Sequence, residues 1–199
     1  KIVELLQKAR IHPDVILFLG DSNSVCCAVQ LKKEGYCIGH IEAGMRSYDK
    51  RMLEEINRIV CDHCSDYLFV YHDDYKKQAM REGIQGENIF VVGNTITEVV
   101  QSLLPDVMNT PKTSDYILMD IHRPENFLCR NRLQNIFSYC NSLSLFFDVP
   151  VRMLSFKRTL DKIKELQINT YDVDFIPLLS YKDFLGVQYN SLCVVSDSG

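Results

Sequence analysis

The chain has 199 residues, of which 46% are hydrophobic and 24% charged, and its formal net charge at pH 7 is −4. This composition is that of a soluble globular protein, and the length suits one large domain or two small ones. The negative charge argues against a nucleic-acid partner, because phosphate binding needs clustered Lys and Arg. No apolar run approaches the roughly 20 residues that span a bilayer, so we expect no membrane partner.

Eight Cys residues could form a disulfide framework, but their spacing is irregular, and Cys37, Cys140 and Cys193 fall within apolar segments. Such positions are typical of small core residues. We therefore predict a reducing, cytoplasmic environment. The spacing Cys61-Asp-His-Cys64 resembles half of a zinc site, but a structural zinc site needs four ligands and the second pair is absent. We predict neither a metal site nor a cofactor.

Helical and strand patterns alternate from the start of the sequence. Apolar runs closed by Gly indicate strands, and segments with a Ser or Asp at the start and a Gly at the end indicate helices. The first half is predicted to contain helices at 1–10, 22–35, 54–66, 73–83 and around 95–104, and strands at 14–20, 36–43, 68–72 and 88–93.

The stretch 105–115, rich in Pro, Asn, Thr and Ser, is predicted to be a linker. The alternation then resumes, with strands at 116–122, 149–155, 173–177 and 192–199 and helices at 130–147, 159–167 and 181–190. Continuous apolar strands separated by helices indicate parallel sheets with helices on both faces. We predict an α/β protein with an N-terminal Rossmann-like domain at 1–107 and a C-terminal one at 115–199.

Polar residues directly follow several of the predicted strands. In sheets of this class, ligands bind at the carboxyl ends of the strands. We therefore expect a functional site among the residues that follow them: Gly20-Asp21, Glu42-Ala-Gly44, His122-Arg123 and Ser196-Asp-Ser-Gly199.

Five sequence motifs resemble those of the non-hydrolysing UDP-N-acetylglucosamine 2-epimerases, in the order and at nearly the spacing of that family. They are PDVILFLGDSNS (13–24), HIEAGMRSYDKRMLEEINR (40–58), VVGNT (91–95), HRPEN (122–126) and SDSG (196–199). The resemblance implies a glycosyltransferase-B-like fold, with the active site in the cleft between two Rossmann-type domains. It also implies a homodimer, when full length, that interconverts UDP-N-acetylglucosamine and UDP-N-acetylmannosamine.

The family eliminates UDP across C1 and C2 and adds it back to a bound 2-acetamidoglucal, which requires acid/base groups on two faces of the sugar. By motif position, the resemblance assigns the acid/base carboxylates to Asp21, Glu42 and Glu54 and leaves open which of them removes the C2 proton. Glu55 is expected to be structural. Family segments would precede Lys1 and follow Gly199, so we expect a fragment truncated at both termini and inactive alone.

Each carboxylate also has a structural explanation. Asp21 could cap the helix that follows it. Glu42 could form a buried ion pair with Arg46. Glu54 could pair with Arg58 one helical turn later. With the resemblance, the catalytic interpretation is preferred for Glu42 and Glu54.

The resemblance assigns the UDP-binding residues mainly to the second half. His122 matches the histidine that contacts the phosphates, with Arg123 beside it. Ser198 and Gly199 match a loop that holds the phosphates, and Phe184 lies where a ring contacts the uracil. The structural alternatives are a core histidine, a simple turn and a helix-core aromatic residue, respectively.

Three departures from the family pattern could alter the site. Leu53 replaces a Pro at the start of a helix. Asp120 replaces a small hydroxyl residue two positions before His122 and adds a negative charge near the diphosphate. Phe156 and Lys157 replace a His-Pro pair, so a substrate contact could be lost.

Several functions therefore stay open. The alternatives are a hydrolysing epimerase, which releases the free sugar, a glycosyltransferase of the same architecture, and a sugar-nucleotide-binding pseudoenzyme. The sequence does not fix which UDP-amino sugar is the substrate.

Overall fold

The computed structural model describes residues 2–198, and the chain divides into two compact units between Val99 and Val100. Each unit contains a four-stranded sheet in which neighbouring strands are parallel. The predicted α/β architecture with two Rossmann-like sheets is confirmed. No helix in the described part of the chain is both long enough and apolar enough to cross a membrane.

The first unit has strand order β1-β2-β3-β4, which follows the order of the strands along the chain. Register places Phe18 beside His40 and His40 beside Leu68, so these three side chains lie on one face. Its elements are α1 (Ile2–Ala9), β1 (Ile16–Leu19), a 3-10 helix (Asn23–Cys27), α2 (Ala28–Lys33), β2 (Ile38–Ile41), α3 (Leu53–Cys64), β3 (Tyr67–Val70), α4 (Asp73–Arg81), a second 3-10 helix (Gly86–Asn88) and β4 (Ile89–Val91).

Two apolar clusters form the core of the first unit. One joins Phe18 and Ile38 of the sheet to buried residues of α1, α2 and α3, and the other joins Leu68 and Ile89 to Ala79 of α4. The opposite face of this sheet carries large side chains that are exposed in the structure: Leu17, Leu19, Tyr67 and Phe90.

The second unit has strand order β7-β6-β5-β8, so the chain passes from one edge of the sheet to the other before β8. Such a reversal leaves a crevice at the carboxyl ends of the strands beside it, here β5 and β8. After α5 (Thr95–Met108), which crosses the unit boundary, the elements are β5 (Ile117–Asp120), α6 (Pro124–Phe127), α7 (Arg130–Phe147), β6 (Val151–Leu154), α8 (Lys157–Glu165), β7 (Asp174–Ile176), α9 (Tyr181–Asn190) and β8 (Cys193–Ser196).

The core of the second unit lies between β5, β6 and α7. All four residues of β5 are buried, as expected for a central parallel strand. From α7, the buried residues are Leu133, Phe137 and Cys140, at the i, i+4, i+7 spacing of one helix face.

The segment 105–108 is helical, which contradicts the predicted linker start at 105. Helix α5 continues through Pro105 to Met108, although proline removes a helical hydrogen bond. Val107 is buried, so packing of this last turn offsets the lost bond.

A short helix, α6, follows His122 and was not predicted from the sequence. Pro124 occupies its first turn and Phe127 is buried in the core. A proline at this position suits a helix start, but four residues are too few to show helical periodicity.

Two phenylalanines of α7 test the assigned core. Phe137 is fully buried, whereas Phe146 is 80% exposed. Phe137→Ala is expected to lower the free energy of unfolding by about 3–5 kcal/mol, because it leaves a cavity. The matched change Phe146→Ala is expected to alter it by less than about 0.5 kcal/mol. Urea denaturation measures both, and equal losses would contradict the assigned orientation of α7.

Candidate active site

The loops after β1 and β2 contain four residues in left-handed backbone conformation. These are Gly20 (φ 70°), Glu42 (φ 71°), Gly44 (φ 77°) and Tyr48 (φ 58°). A Cβ at Gly44 would lie 2.6 Å from the backbone oxygen of Tyr75 in α4, so only glycine fits there. Positive φ is unfavourable for Glu42, and residues held in this way concentrate at functional sites.

His40 of β2 connects these loops from inside the core. Its ring is fully buried, and Nε2 lies 2.8 Å from the carbonyl oxygen of Gly20. Because a carbonyl can only accept, Nε2 carries a proton. Nδ1 lies 2.6 Å from Oδ1 of Asp62. Burial lowers the pKa of His40, but the hydrogen bond and the negative charge of Asp62 outweigh it and raise the pKa to about 10.

Asp62 of α3 is also fully buried and receives further hydrogen bonds through Oδ2. The N–H of Gly44 donates to it at 3.1 Å and Nη1 of Arg46 at 2.7 Å. Both oxygens of Asp62 therefore accept hydrogen bonds, Oδ1 from His40 and Oδ2 from these two donors. The ring of His40, bonded to a carboxylate and to a carbonyl, is therefore an imidazolium.

Arg46 links this group to α4. Its Nε and Nη2 donate to the two carboxylate oxygens of Glu82 at 2.8 Å and 2.6 Å. Since the Arg46 side chain is 2% exposed and pairs with Asp62 and Glu82, the suggested Glu42–Arg46 ion pair is wrong.

Asp21 and Glu42 lie close to each other, beside Arg58 of α3. Asp21 accepts a hydrogen bond from Nη2 of Arg58 and forms an ion pair with it. Burial raises the pKa of Glu42, and the negative charge of Asp21 raises it further, although the charge of Arg58 lowers it. The structure thus brings together two of the three predicted carboxylates and places one cation beside them.

Two structural alternatives for the carboxylates do not hold. Ser22, rather than Asp21, is the N-cap of the following 3-10 helix. Arg58 pairs with Asp21 and, at 3.4 Å, with Glu55 instead of Glu54. Within the described part of the chain, the buried Nε of Arg58 has no hydrogen-bond partner. Such an unsatisfied donor is unfavourable for stability.

Glu54 and Glu55 occupy different environments at the start of α3. Glu55 is buried, and its two oxygens accept the backbone N–H groups of Ser47 and Tyr48, each at 2.9 Å. It therefore fixes the loop after β2, in agreement with its expected structural role. Glu54 is exposed. Leu53 begins the helix without the proline of the family pattern.

In the second unit, Asp197 organises the chain that follows β5. Its Oδ1 accepts the N–H of His122 at 3.1 Å, and its Oδ2 accepts the N–H of Arg123 at 3.0 Å and the side-chain amide of Asn126 at 2.9 Å. Asp197, the residue directly after β8, therefore holds the loop after β5. Ser198 is exposed and its N–H donates to Oγ of Ser196 at 2.9 Å; Gly199 lies outside the described residues.

His122 is not a core histidine, since its side chain is 38% exposed. Nδ1 lies 3.0 Å from Oδ1 of Asp120 and 3.4 Å from Oδ1 of Asp197. The ring centroid lies 5.4 Å from that of Phe156. The guanidinium of Arg123 is half-buried and lies 3.9 Å from the carboxylate of Glu125.

A cavity of about 290 Å³ lies at the carboxyl ends of β5, β6 and β7. Phe184 lines it rather than packing wholly into the helix core, and it is joined there by Asp120, Leu154, Phe156, Leu178, Leu179 and Tyr181. Aromatic rings with one carboxylate suit a flat ligand that carries N–H groups.

Three residues of the first unit were not predicted from the sequence as parts of the site: the buried His40 and Asp62 and the partly buried Arg58. A histidine inside an apolar strand is a weak signal, because most such residues are satisfied core histidines. The contact between His40 of β2 and Asp62 of α3 identifies this histidine as part of the site, and the sequence alone does not show that contact. Among residues 2–198, no cluster of three or more His, Cys, Asp or Glu suits a metal ion.

The comparison with known proteins gives one consistent result. Residues 2–199 match the family model described as UDP-N-acetylglucosamine 2-epimerase. The UDP-N-acetylglucosamine 2-epimerase of Methanocaldococcus jannaschii is 32% identical over 203 residues, which cover 94% of this chain and 56% of that protein. The UDP-2,3-diacetamido-2,3-dideoxy-D-glucuronate 2-epimerase of Pseudomonas aeruginosa is 30% identical over 195 residues, covering 94% of this chain and 54% of that protein.

The similarity extends to solved structures. The crystal structure of the M. jannaschii enzyme in complex with UDP-GlcNAc and UDP superimposes with a TM-score of 0.91 at 32% identity, covering 100% of this chain and 58% of that one. The chain therefore spans little more than half the length of the relatives it matches.

The charge on His40 generates a pH-dependent stability. Its folded pKa of about 10 lies above the ordinary value of 6.5, so its stabilising contribution is complete below pH 6.5 and is lost as the pH rises toward 10. We expect the free energy of unfolding to fall over this window by on the order of a few kcal/mol.

His40→Gln is expected to remove this component, so the difference in unfolding free energy between the two proteins should shrink from pH 6.5 to pH 9. The comparison stops there because buried thiols, such as Cys140 with its raised pKa, affect stability at higher pH. A difference that stays constant with pH would contradict a charged His40.

Proposed function

Since this chain belongs to the UDP-N-acetylglucosamine 2-epimerase family, we propose that the full-length protein interconverts UDP-N-acetylglucosamine and UDP-N-acetylmannosamine without releasing the free sugar. The observation that carries this proposal is the grouping of Asp21 and Glu42 beside Arg58, where the charge of Asp21 raises the pKa of Glu42. Two neighbouring carboxylates in unequal environments are suited to act as one base and one acid.

The two carboxylates differ in the groups that surround them. Asp21 forms an ion pair with Arg58. Glu42 is partly buried, and burial together with the negative charge of Asp21 raises its pKa. Neighbouring carboxyl groups in such unequal environments can serve one as proton donor and the other as proton acceptor.

The proposed reaction proceeds in two balanced steps. A carboxylate removes the proton from C2, the electrons of that C–H bond form the C1–C2 double bond, and UDP leaves from C1 with the electrons of the C–O bond. UDP then adds back to C1 while a carboxylic acid returns a proton to the opposite face of C2. Asp21 and Glu42 are the proposed pair, and Glu54 is a third candidate whose exposed position leaves it accessible to ligand.

The second unit is proposed to bind the nucleotide part of the substrate. Leaving of UDP places negative charge on the diphosphate, which needs cationic and N–H donors. His122, Arg123 and Ser198 are the proposed phosphate ligands, together with Gly199. Phe184 is proposed to contact the uracil, because it lines the cavity beside Asp120. We further propose that the full-length protein is a cytoplasmic homodimer that needs no cofactor.

A second candidate concerns the sugar rather than the reaction. The relative named as a UDP-2,3-diacetamido-2,3-dideoxy-D-glucuronate 2-epimerase is almost as similar to this chain as the UDP-N-acetylglucosamine enzymes are. Both sugars carry the same C2 acetamido group. The elimination step therefore suits either, and the substituents at C3 and C6 decide between them.

Product analysis tests the proposed function. The full-length protein is incubated with UDP-N-acetylglucosamine, and the products are separated by chromatography. We expect UDP-N-acetylmannosamine and no free N-acetylmannosamine. Release of the free sugar would indicate a hydrolysing enzyme, and binding without turnover would indicate a pseudoenzyme. Turnover of the diacetamido uronate alone would support the second candidate.

Removing either proposed acid/base group should reduce turnover. Glu42→Gln and Asp21→Asn are each expected to lower kcat by about 10²- to 10⁴-fold, the usual contribution of a positioned proton donor or acceptor. The matched control is Glu87→Gln, because Glu87 is exposed and should leave kcat unchanged. Full activity of Glu42→Gln would contradict its role.

The interaction between Asp21 and Glu42 can be measured directly. Asp21→Asn removes a negative charge that raises the pKa of Glu42 and leaves the opposing charge of Arg58 in place, so the pKa of Glu42 should fall. NMR titration of carboxyl carbons labelled with 13C reports this change. Asp49→Asn is the control, since Asp49 pairs with Arg51 instead. An unchanged pKa of Glu42 in Asp21→Asn would show that the two groups are not coupled.

A further inference from the structure

We propose that Asp120 is a positioning residue for His122, whose Nδ1–H it binds so that Nε2 is left to donate to a phosphate oxygen of the nucleotide. This inference rests on the proposed function, because it refines the role of a residue in that site. It also gives a structural role to Asp120, one of the three departures from the pattern that the resemblance implies.

The geometry identifies Asp120 as the acceptor for Nδ1. Asp120 is the last residue of β5, its side chain is 12% exposed, and its Oδ1 lies 3.0 Å from Nδ1. Asp197 is the competing acceptor, but it lies farther away, at 3.4 Å. Asp197 also accepts hydrogen bonds from the backbone N–H groups of His122 and Arg123 and from the side chain of Asn126.

The remaining contacts fix the plane of the ring. The aromatic ring of Phe156 packs against His122 from the loop after β6. Both the ring and the main chain of His122 are therefore held, and among the described residues Nε2 has no hydrogen-bond partner. An imidazole whose Nδ1 is hydrogen-bonded has a fixed orientation, and its Nε2 can then bind a ligand without further reorientation.

The chemistry of the carboxylate determines which nitrogen faces the ligand. An ionised carboxylate accepts only, so Nδ1 must carry a proton when it bonds to Asp120. A phosphate oxygen also accepts only, so Nε2 must then carry a second proton. With the diphosphate bound, each ring nitrogen then donates one hydrogen bond, Nδ1 to Asp120 and Nε2 to the phosphate oxygen.

The same carboxylate could instead act only by repelling the diphosphate. The two effects have opposite signs. If Asp120 positions His122, its removal weakens nucleotide binding. If it acts only as a like charge, its removal strengthens binding. Substitution at this single position therefore separates them.

The first test measures binding of UDP to the full-length protein by isothermal titration calorimetry. Asp120→Ala removes both the acceptor and the charge, and we expect its Kd to rise about tenfold, as for loss of a hydrogen bond between charged groups. Asp120→Asn keeps an acceptor of the same shape and should show a smaller rise. The control is Asp115→Asn, an exposed carboxylate that precedes β5 and pairs with Lys112. An equal or lower Kd for Asp120→Ala would overturn the proposal.

The second test measures the protonation of the two ring nitrogens of His122 by NMR and does not depend on activity. The protein is labelled with 15N at histidine, and the His122 signals are assigned by their loss in His122→Gln. We expect a protonated Nδ1 in the wild type and a shift toward the tautomer with the proton on Nε2 in Asp120→Ala. A wild-type ring with a bare Nδ1, or identical spectra in the two proteins, would overturn the proposal. If UDP fails to bind the wild type, the proposed function fails, while the spectra still decide the role of Asp120.

Discussion

The buried contact between His40 and Asp62 joins the loops that carry the candidate acid/base residues. One imidazolium holds the carbonyl of Gly20, and one carboxylate holds the N–H of Gly44. Burying two charges is unfavourable unless each is paired and fully hydrogen-bonded. Here both ring nitrogens of His40 and both carboxylate oxygens of Asp62 have hydrogen-bond partners, so neither charge is uncompensated. The pair therefore fixes the backbone next to Asp21 and close to Glu42.

The two units contribute different kinds of chemistry. In the first, Asp21 is paired with Arg58, and burial together with the charge of Asp21 raises the pKa of Glu42. In the second, one well-anchored residue, Asp197, holds the backbone around His122, while Asp120 contacts the ring. The parallel-sheet architecture explains both arrangements, because it brings the loops after adjacent strands to one edge of each sheet.

The sequence predicted much of this from the periodicity of its strands and from the polar residues at their ends. The sequence did not predict the correct ion-pair partner where a side chain could contact several charged groups. The structural alternatives for Glu42 and Glu54 paired them by sequence distance with Arg46 and Arg58, but the structure pairs these two arginines with Asp62 and Asp21. Similarly, the charged state of His40 depends on Asp62, which is 22 positions away in the chain. Spacing alone cannot reveal such a contact.

Exchange of the C2 hydrogen with solvent shows whether Asp21 and Glu42 move that proton. Asp21 has a side chain that is 26% exposed, so a proton held by either carboxyl group can exchange with water. When the full-length protein acts on UDP-N-acetylglucosamine in D2O, we expect each epimer formed to carry one deuterium at C2. Epimer that retains its original hydrogen at C2 would contradict the removal and return of that proton by these carboxylates.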